Sequence, residues 1–136
     1  MNAEVFLDTN IIIYAYAEQE IAKFEAANRL IDNGRTVTST QVFNELSATL
    51  ARKFWMTWRQ IGAVVNELTQ RCAVTELSIA TIQSAIHLAE RYGCHYYDSL
   101  ILATALERNC SILFTEDLQH QQVIANRLVV LNPFLL

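Results

Sequence analysis

Asp8, Glu45, Asp98 and Asp117 are the residues whose types and positions lend themselves to chemistry. Asp8 ends a short β-favouring run, Glu4 to Leu7, and stands before the apolar segment IIIYAYA. Asp98 sits just ahead of LILATAL, apolar almost all the way round a helix, and Asp117 follows the strand-like SILF. Taken one at a time these acids have plain explanations: helix capping for Asp8 and Asn10, the helix dipole for Asp98, a solvated helix face for Glu45. Separate capping does not explain why acids recur at positions that a single topology would bring together. Carboxylates gathered in one place repel unless a cation joins them, and an all-oxygen ligand set suits Mg²⁺ or Mn²⁺. Such an ion activates a water and stabilises the charge growing on a phosphodiester, so a phosphate ester is the substrate this chemistry favours.

The elements that must position these acids can be read from hydrophobic spacing. A first strand ends at Asp8, and Ile21, Phe24, Ala27, Leu30 and Ile31 mark one face of a helix from Glu20 to Asp32, stopped by Asn33-Gly34. Lys23, Glu25 and Arg29 fall on its wet face. Arg35 to Thr38 reads as a second strand, and Ser39 or Thr40 caps a helix to about Phe54 that carries Glu45 off the centre of its apolar stripe. A break at Trp55 to Trp58 precedes a helix from Arg59 to Arg71. A third strand spans Cys72 to Leu77, and Ser78 caps a helix that ends at Gly93. The apolar helix after Asp98 stops near Asn109, SILF is the fourth strand, Leu118 to Asn126 is helical or irregular, and Arg127 to Leu131 is the fifth strand. Five strands separated mostly by helices predict one α/β domain over residues 1–136, a parallel sheet with helices on both faces. If the winding reverses between the first and fourth strands, Asp8 and Asp117 meet at the carboxyl edge, where ligands of open α/β sheets gather.

Bulk properties narrow the partners. A formal charge of −4 argues against a nucleic-acid binder held by a broad basic field, while leaving room for a nuclease whose bound cation reverses the local potential. Apolar residues make up 52% and charged ones 18%, more than one compact core should need, so self-association and a protein partner are expected. Ile11 to Tyr16, Ile21 to Ile31 and the hairpin around Trp55 are the candidate surfaces. Cys72, Cys94 and Cys110 lack metal-ligand spacing and read as reduced thiols, with no zinc site expected from them and His87, His95 and His120. No apolar run approaches the roughly 20 residues of a membrane span, and no basic leader is evident, so a soluble cytoplasmic protein is expected. Arg52, Lys53 and Arg59 crowd around Trp55 and Trp58, a composition that fits a strip for single-stranded nucleic acid, a hairpin core or a partner patch.

The opening VFLDTNIIIYAY, Glu45 within TSTQVFNEL, YYDSLILATAL with Asp98, and LFTEDLQH with Thr115 and Asp117, in this order, resemble the PIN-domain ribonucleases, and within them the VapC-type toxins of toxin–antitoxin pairs. The likeness covers nearly the whole chain. It implies a five-stranded parallel sheet, Mg²⁺ or Mn²⁺ held mainly through Asp8 and Asp98, and Glu45 and Asp117 completing the acidic pocket. Cleavage of RNA, dimerisation and silencing by a cognate antitoxin are further implications. Glu116 is an extra acid beside Asp117, so either of the two can face the metal. Two other readings use the same residues: a non-catalytic PIN-fold binding module, and a metal-dependent phosphatase acting on a small molecule. An aspartyl phosphotransferase would need a second acid where the chain has Asn10.

Overall fold

The computed structural model describes residues 4–17 and 20–136. In chain order the elements are β1 (Val5–Leu7), α1 (Thr9–Tyr16), α2 (Ile21–Ile31), β2 (Thr36–Ser39), α3 (Thr40–Phe54), α4 (Trp58–Arg71), β3 (Ala73–Thr75), α5 (Ile79–Tyr92), α6 (Tyr96–Glu107), β4 (Ile112–Phe114), β5 (Val123–Ile124) and β6 (Leu128–Leu131), followed by a 3₁₀ turn at Pro133–Leu135. The strands form one sheet in the order β3-β2-β1-β4-β6-β5. Every pairing is parallel except β5 with β6.

The sheet therefore has six strands, one more than the five expected, and the addition is antiparallel. It arises within Leu118 to Asn126, the stretch read as helical or irregular. Ala125 and Asn126 both take positive φ, and Arg127 N–H donates to the Ile124 carbonyl at 3.1 Å. Two consecutive left-handed residues match the twist of a tight hairpin. Alanine at the first of them hides that turn from a search for glycine-rich signals. The Tyr92 hydroxyl holds the turn from outside, accepting from Ala125 N–H at 2.9 Å.

Val5, Phe6 and Leu7 are all buried, and since neighbouring side chains on a strand point to opposite faces, both faces of β1 are covered. This is the hydrophobic centre of the molecule. Every residue of α6 from Ser99 to Leu106 is buried, as its all-round apolar sequence requires. Capping fixes the helix ends: Ser39 accepts from Val42 N–H, Thr57 and Gln60 form a capping box at α4, Ser78 and Thr81 another at α5, and Gly93 closes α5 in a left-handed conformation.

Three surface expectations change. Ile11, Ile12 and Ile13 are buried and belong to the core, so within Ile11 to Tyr16 only Tyr14 and Tyr16 remain partly exposed. Lys23 is not on a wet face; it is half-buried against Tyr14 and Glu116. Trp55 and Trp58 are 86% and 73% exposed, which rules out a hairpin core. Cys72 and Cys110 are buried free thiols and Cys94 is half-buried. No helix among the described residues is long and apolar enough to cross a membrane.

Candidate active site

The sheet reverses its winding between β1 and β4, which are hydrogen-bonded neighbours in register. Asp8 follows β1 directly and its backbone N–H donates to the Phe114 carbonyl at the end of β4, at 3.1 Å. Asp8 and the loop carrying Asp117 thus leave the sheet side by side, at the crevice where open α/β sheets bind ligands. Asp98 arrives from a third direction, in the first turn of α6.

Carboxylate oxygens of Asp8, Asp98 and Asp117 all lie within 4.8 Å of one another. Oxygens sharing one Mg²⁺ stand up to about 4.2 Å apart, given bonds near 2.1 Å, so small side-chain rotations would close the three onto a single ion. Their donor set is oxygen only, which fits a hard divalent cation. Among the described residues this is the one group of three or more such ligands, and the cysteines and histidines form none.

Asp8 is only 4% exposed, and both its oxygens are occupied: Oδ1 accepts from Thr9 N–H at 2.7 Å and Oδ2 from the Thr115 hydroxyl at 2.8 Å. The Thr115 Oγ1 in turn accepts from Asp117 N–H at 3.0 Å, so one threonine ties two acids together. Asp117 is the exposed member and accepts from the Asn10 amide at 3.3 Å. Glu45, on α3, is half-buried and stands beside the trio. Its Oε2 accepts from the Thr9 hydroxyl at 2.7 Å, its Oε1 accepts from Gln41 at 3.1 Å, and it lines one groove with Asp117. Glu116 points elsewhere, accepting from the Tyr14 hydroxyl at 2.8 Å and pairing with Lys23 at 3.3 Å. Of the two adjacent acids, Asp117 is the one turned toward Asp8 and Asp98.

Electrostatics reflect the crowding. Burial, with smaller contributions from Asp117 and Glu45, lifts the Asp8 carboxyl to about 7, against the downward pull of the Thr115 and Thr9 hydrogen bonds. Asp98 is raised by desolvation first and then by Asp117 and Glu45, with His95 opposing. Asp117 is raised by desolvation, Glu116 and Glu45, with the Asn10 amide opposing. In all three acids burial is the main cause and the neighbouring carboxylates add to it, and a bound cation would oppose both by favouring the ionised forms.

Sequence reasoning named the four acids and Thr115 but missed the groups that hold Glu45. Thr9, one residue after Asp8, points its hydroxyl at an acid 36 residues away. Its only signal is the position between Asp8 and Asn10, and that became informative once α3 was known to lie beside α1.

These features define an α/β protein with an acid cluster at the switch point of a mostly parallel sheet. The PIN domain family model matches residues 5–125, and the chain belongs to the PIN domain family. No curated protein sequence matches it. Solved structures share the fold. The Mycobacterium tuberculosis toxin VapC20, described as cleaving the sarcin-ricin loop, is 19% identical, with 84% of this chain and 92% of that chain covered and a TM-score of 0.70. A toxin–antitoxin complex from Klebsiella pneumoniae is 20% identical over 96% of this chain and 98% of that chain, with a TM-score of 0.72. VapBC2 from Rickettsia felis, bound to a DNA fragment from its promoter, is 21% identical over 93% and 96%, with a TM-score of 0.67.

Proposed function

We propose that the protein is a divalent-metal-dependent endoribonuclease, the toxin of a toxin–antitoxin pair. The observation that carries this reading is the meeting of Asp8, Asp98 and Asp117 oxygens within 4.8 Å at the switch point of a PIN fold. In it, Asp8, Asp98 and Asp117 hold Mg²⁺ or Mn²⁺, and Glu45 completes the pocket. The ion supplies charge neutralisation for the phosphodiester and acidifies a water. Glu45, fixed by Thr9 and Gln41, faces the open groove, where it orients the attacking water and takes its proton. Thr115 keeps Asp8 and Asp117 in register, and the Asn10 amide steadies Asp117. Catalysis then consists of positioning and charge compensation at a site whose carboxylates are set before substrate arrives.

The toxin assignment takes its support from the solved structures of like fold, whose names are those of toxins and toxin–antitoxin complexes. It brings with it a cognate antitoxin protein as inhibitor, RNA as substrate, a cytoplasmic site of action and a homodimer or higher oligomer. The deciding experiment incubates the protein with a labelled structured RNA, with a nucleotide and with a simple phosphate ester, each with Mg²⁺ and with a chelator. Internal RNA cleavage that requires the ion and is lost in Asp98→Asn is expected. Turnover of the small esters alone would replace the reading with that of a phosphatase. Failure to bind metal would point to a non-catalytic module.

A further inference from the structure

The turn between α3 and α4 carries an unusual residue for its conformation. Trp55 caps α3 at φ 57, ψ 25, a left-handed conformation that glycine or asparagine adopts at little cost and a bulky aromatic does not. Its side chain is 86% exposed, so packing does not compensate, and Trp58 beside it is 73% exposed. Backbone preference and core packing both disfavour a tryptophan at position 55, which leaves a ligand as the reason for it.

Charge says which ligand. The chain has ten lysines and arginines against fourteen acids, yet between Glu45 and Glu67 there is no acid at all, and Arg52, Lys53 and Arg59 all fall in that interval. None of the three takes part in the ion pairs found among the described residues, and all are exposed. Arg52 also lines the groove that contains Glu45 and Asp117, with Tyr97 on the same groove. Lys53 lines an adjoining hollow that shares Asn10 and Thr49 with it. At 1.5 Å rise per residue, Arg52 lies about 10 Å and Trp55 about 15 Å along α3 from Glu45. Free cations beside exposed indoles, a few nucleotides from an acid cluster, match how unpaired strands are held: phosphates on cations, bases on aromatic faces.

We infer that the α3–α4 turn is the binding platform for a single-stranded segment of the RNA substrate, with Arg52 and Lys53 taking its phosphates and Trp55 and Trp58 stacking on its bases. This rests on the ribonuclease reading and adds where this chain grips the strand, on the exposed residues of the α3–α4 turn at one end of the groove. The platform carries local positive charge in an acidic protein, so the strand is drawn to one end of the groove and laid toward the acids.

The test uses the full-length Asp98→Asn protein in chelator, which separates binding from cleavage, and an oligouridylate as probe, single-stranded or annealed to its complement. Fluorescence anisotropy should show the single strand preferred. Trp55→Ala should weaken its binding roughly 5- to 150-fold, the span of one lost base stack, with Trp55→Phe largely restoring it. Arg52→Ala with Lys53→Ala should lower the magnitude of the salt slope by about 1.4, from about 0.7 per phosphate contact on a single strand. Trp55→Asn separates binding from structure, since it should raise the melting temperature by relieving the left-handed position while still weakening RNA binding. Unchanged affinity and salt slope in these variants would overturn the inference, as would variants that lose only a protein partner. Ion-dependent RNA cleavage by the wild type, lost in Asp98→Asn, would leave the ribonuclease reading standing in either case.

Discussion

Replacing Asp8 by Asn should stabilise the metal-free protein at alkaline pH while abolishing its activity. The Asp8 carboxyl is pushed up to about 7 in the fold, chiefly by burial, from an ordinary value of 3.8. A carboxyl raised on folding binds its proton more tightly in the native state than in the unfolded chain. Native stability is therefore lost as pH rises from about 4 to about 7, and the loss is complete above that window. At 1.36 kcal/mol per pH unit the full penalty is about 4 kcal/mol, of which about 3 kcal/mol accrues between pH 5 and pH 8. The amide introduced by Asp8→Asn would not titrate. Its nitrogen can meet Thr115 Oγ1, and its oxygen can keep the Thr9 N–H, so the fold should persist. Whatever constant packing cost the amide carries cancels when the two pH values are compared. Denaturant unfolding of both proteins in chelator, at pH 5 and pH 8, should show the variant gaining about 3 kcal/mol on the wild type over that interval. That corresponds to a relative shift in melting temperature of roughly 10 °C for a domain of this size. Parallel pH dependence would refute the reasoning, because it would mean that Asp8 is ionised at no unusual cost. With saturating Mg²⁺ the wild type should recover the deficit and the variant should not.

The remaining predictions concern the site's other parts and the surface. Asp98→Asn and Glu45→Gln should each cut RNA cleavage by about 100-fold or more in single-turnover kinetics, and the double variant should fall little further, because the groups act as a unit. Thr115→Val removes the hydroxyl joining Asp8 to Asp117 and should weaken metal affinity by roughly 10- to 100-fold, read by titration calorimetry. The α5 isoleucines Ile79, Ile82 and Ile86 form an exposed stripe at helical spacing, so Ile82→Glu should shift sedimentation of the free protein toward monomer if that stripe carries self-association. An unaltered sedimentation profile would remove α5 from the interface.

Much of this fold was legible because it obeys local rules. The first strand, the all-round apolar α6 and the capped starts of α3 and α5 follow from spacing and end signals, with boundaries shifted by one or two residues, while the Thr57 capping box of α4 is seen only in the structure. The meeting of Asp8 with Asp117 followed from topology, since a parallel sheet that reverses beside its first strand leaves little else for those loops to do. The β5–β6 hairpin was hidden because its turn uses alanine where the expected residues are glycine and asparagine. Lys23 was hidden for another reason: helical periodicity places a residue on a face but does not say what covers that face. The Lys23 ammonium lies 4.7 Å from the Tyr14 ring centroid and 5.0 Å from that of Phe134, a residue 111 positions away, and only the folded chain brings the two together.

The placement of Lys23 bears on why the site is charged as it is. A lysine among Asp8, Asp98 and Asp117 would lower their carboxyl values and relieve the repulsion, but its ammonium would compete with any divalent ion for the same oxygens. Here the nearby cation neutralises the fifth acid instead: Lys23 and the Tyr14 hydroxyl hold Glu116, one residue from Asp117. Glu116 still raises Asp117 through space, so the pairing removes only part of its field. What it removes is the alternative of Glu116 swinging inward and Asp117 outward, an exchange that would turn a short ligand into a long one. Neutral donors do the rest of the positioning, with Thr9, Asn10 and Thr115 each giving a hydrogen bond to a carboxylate without adding charge. Asp8, Asp117 and Glu45 are thereby held by neutral donors, and under the proposed function a divalent cation would supply the charge that these donors and Lys23 do not.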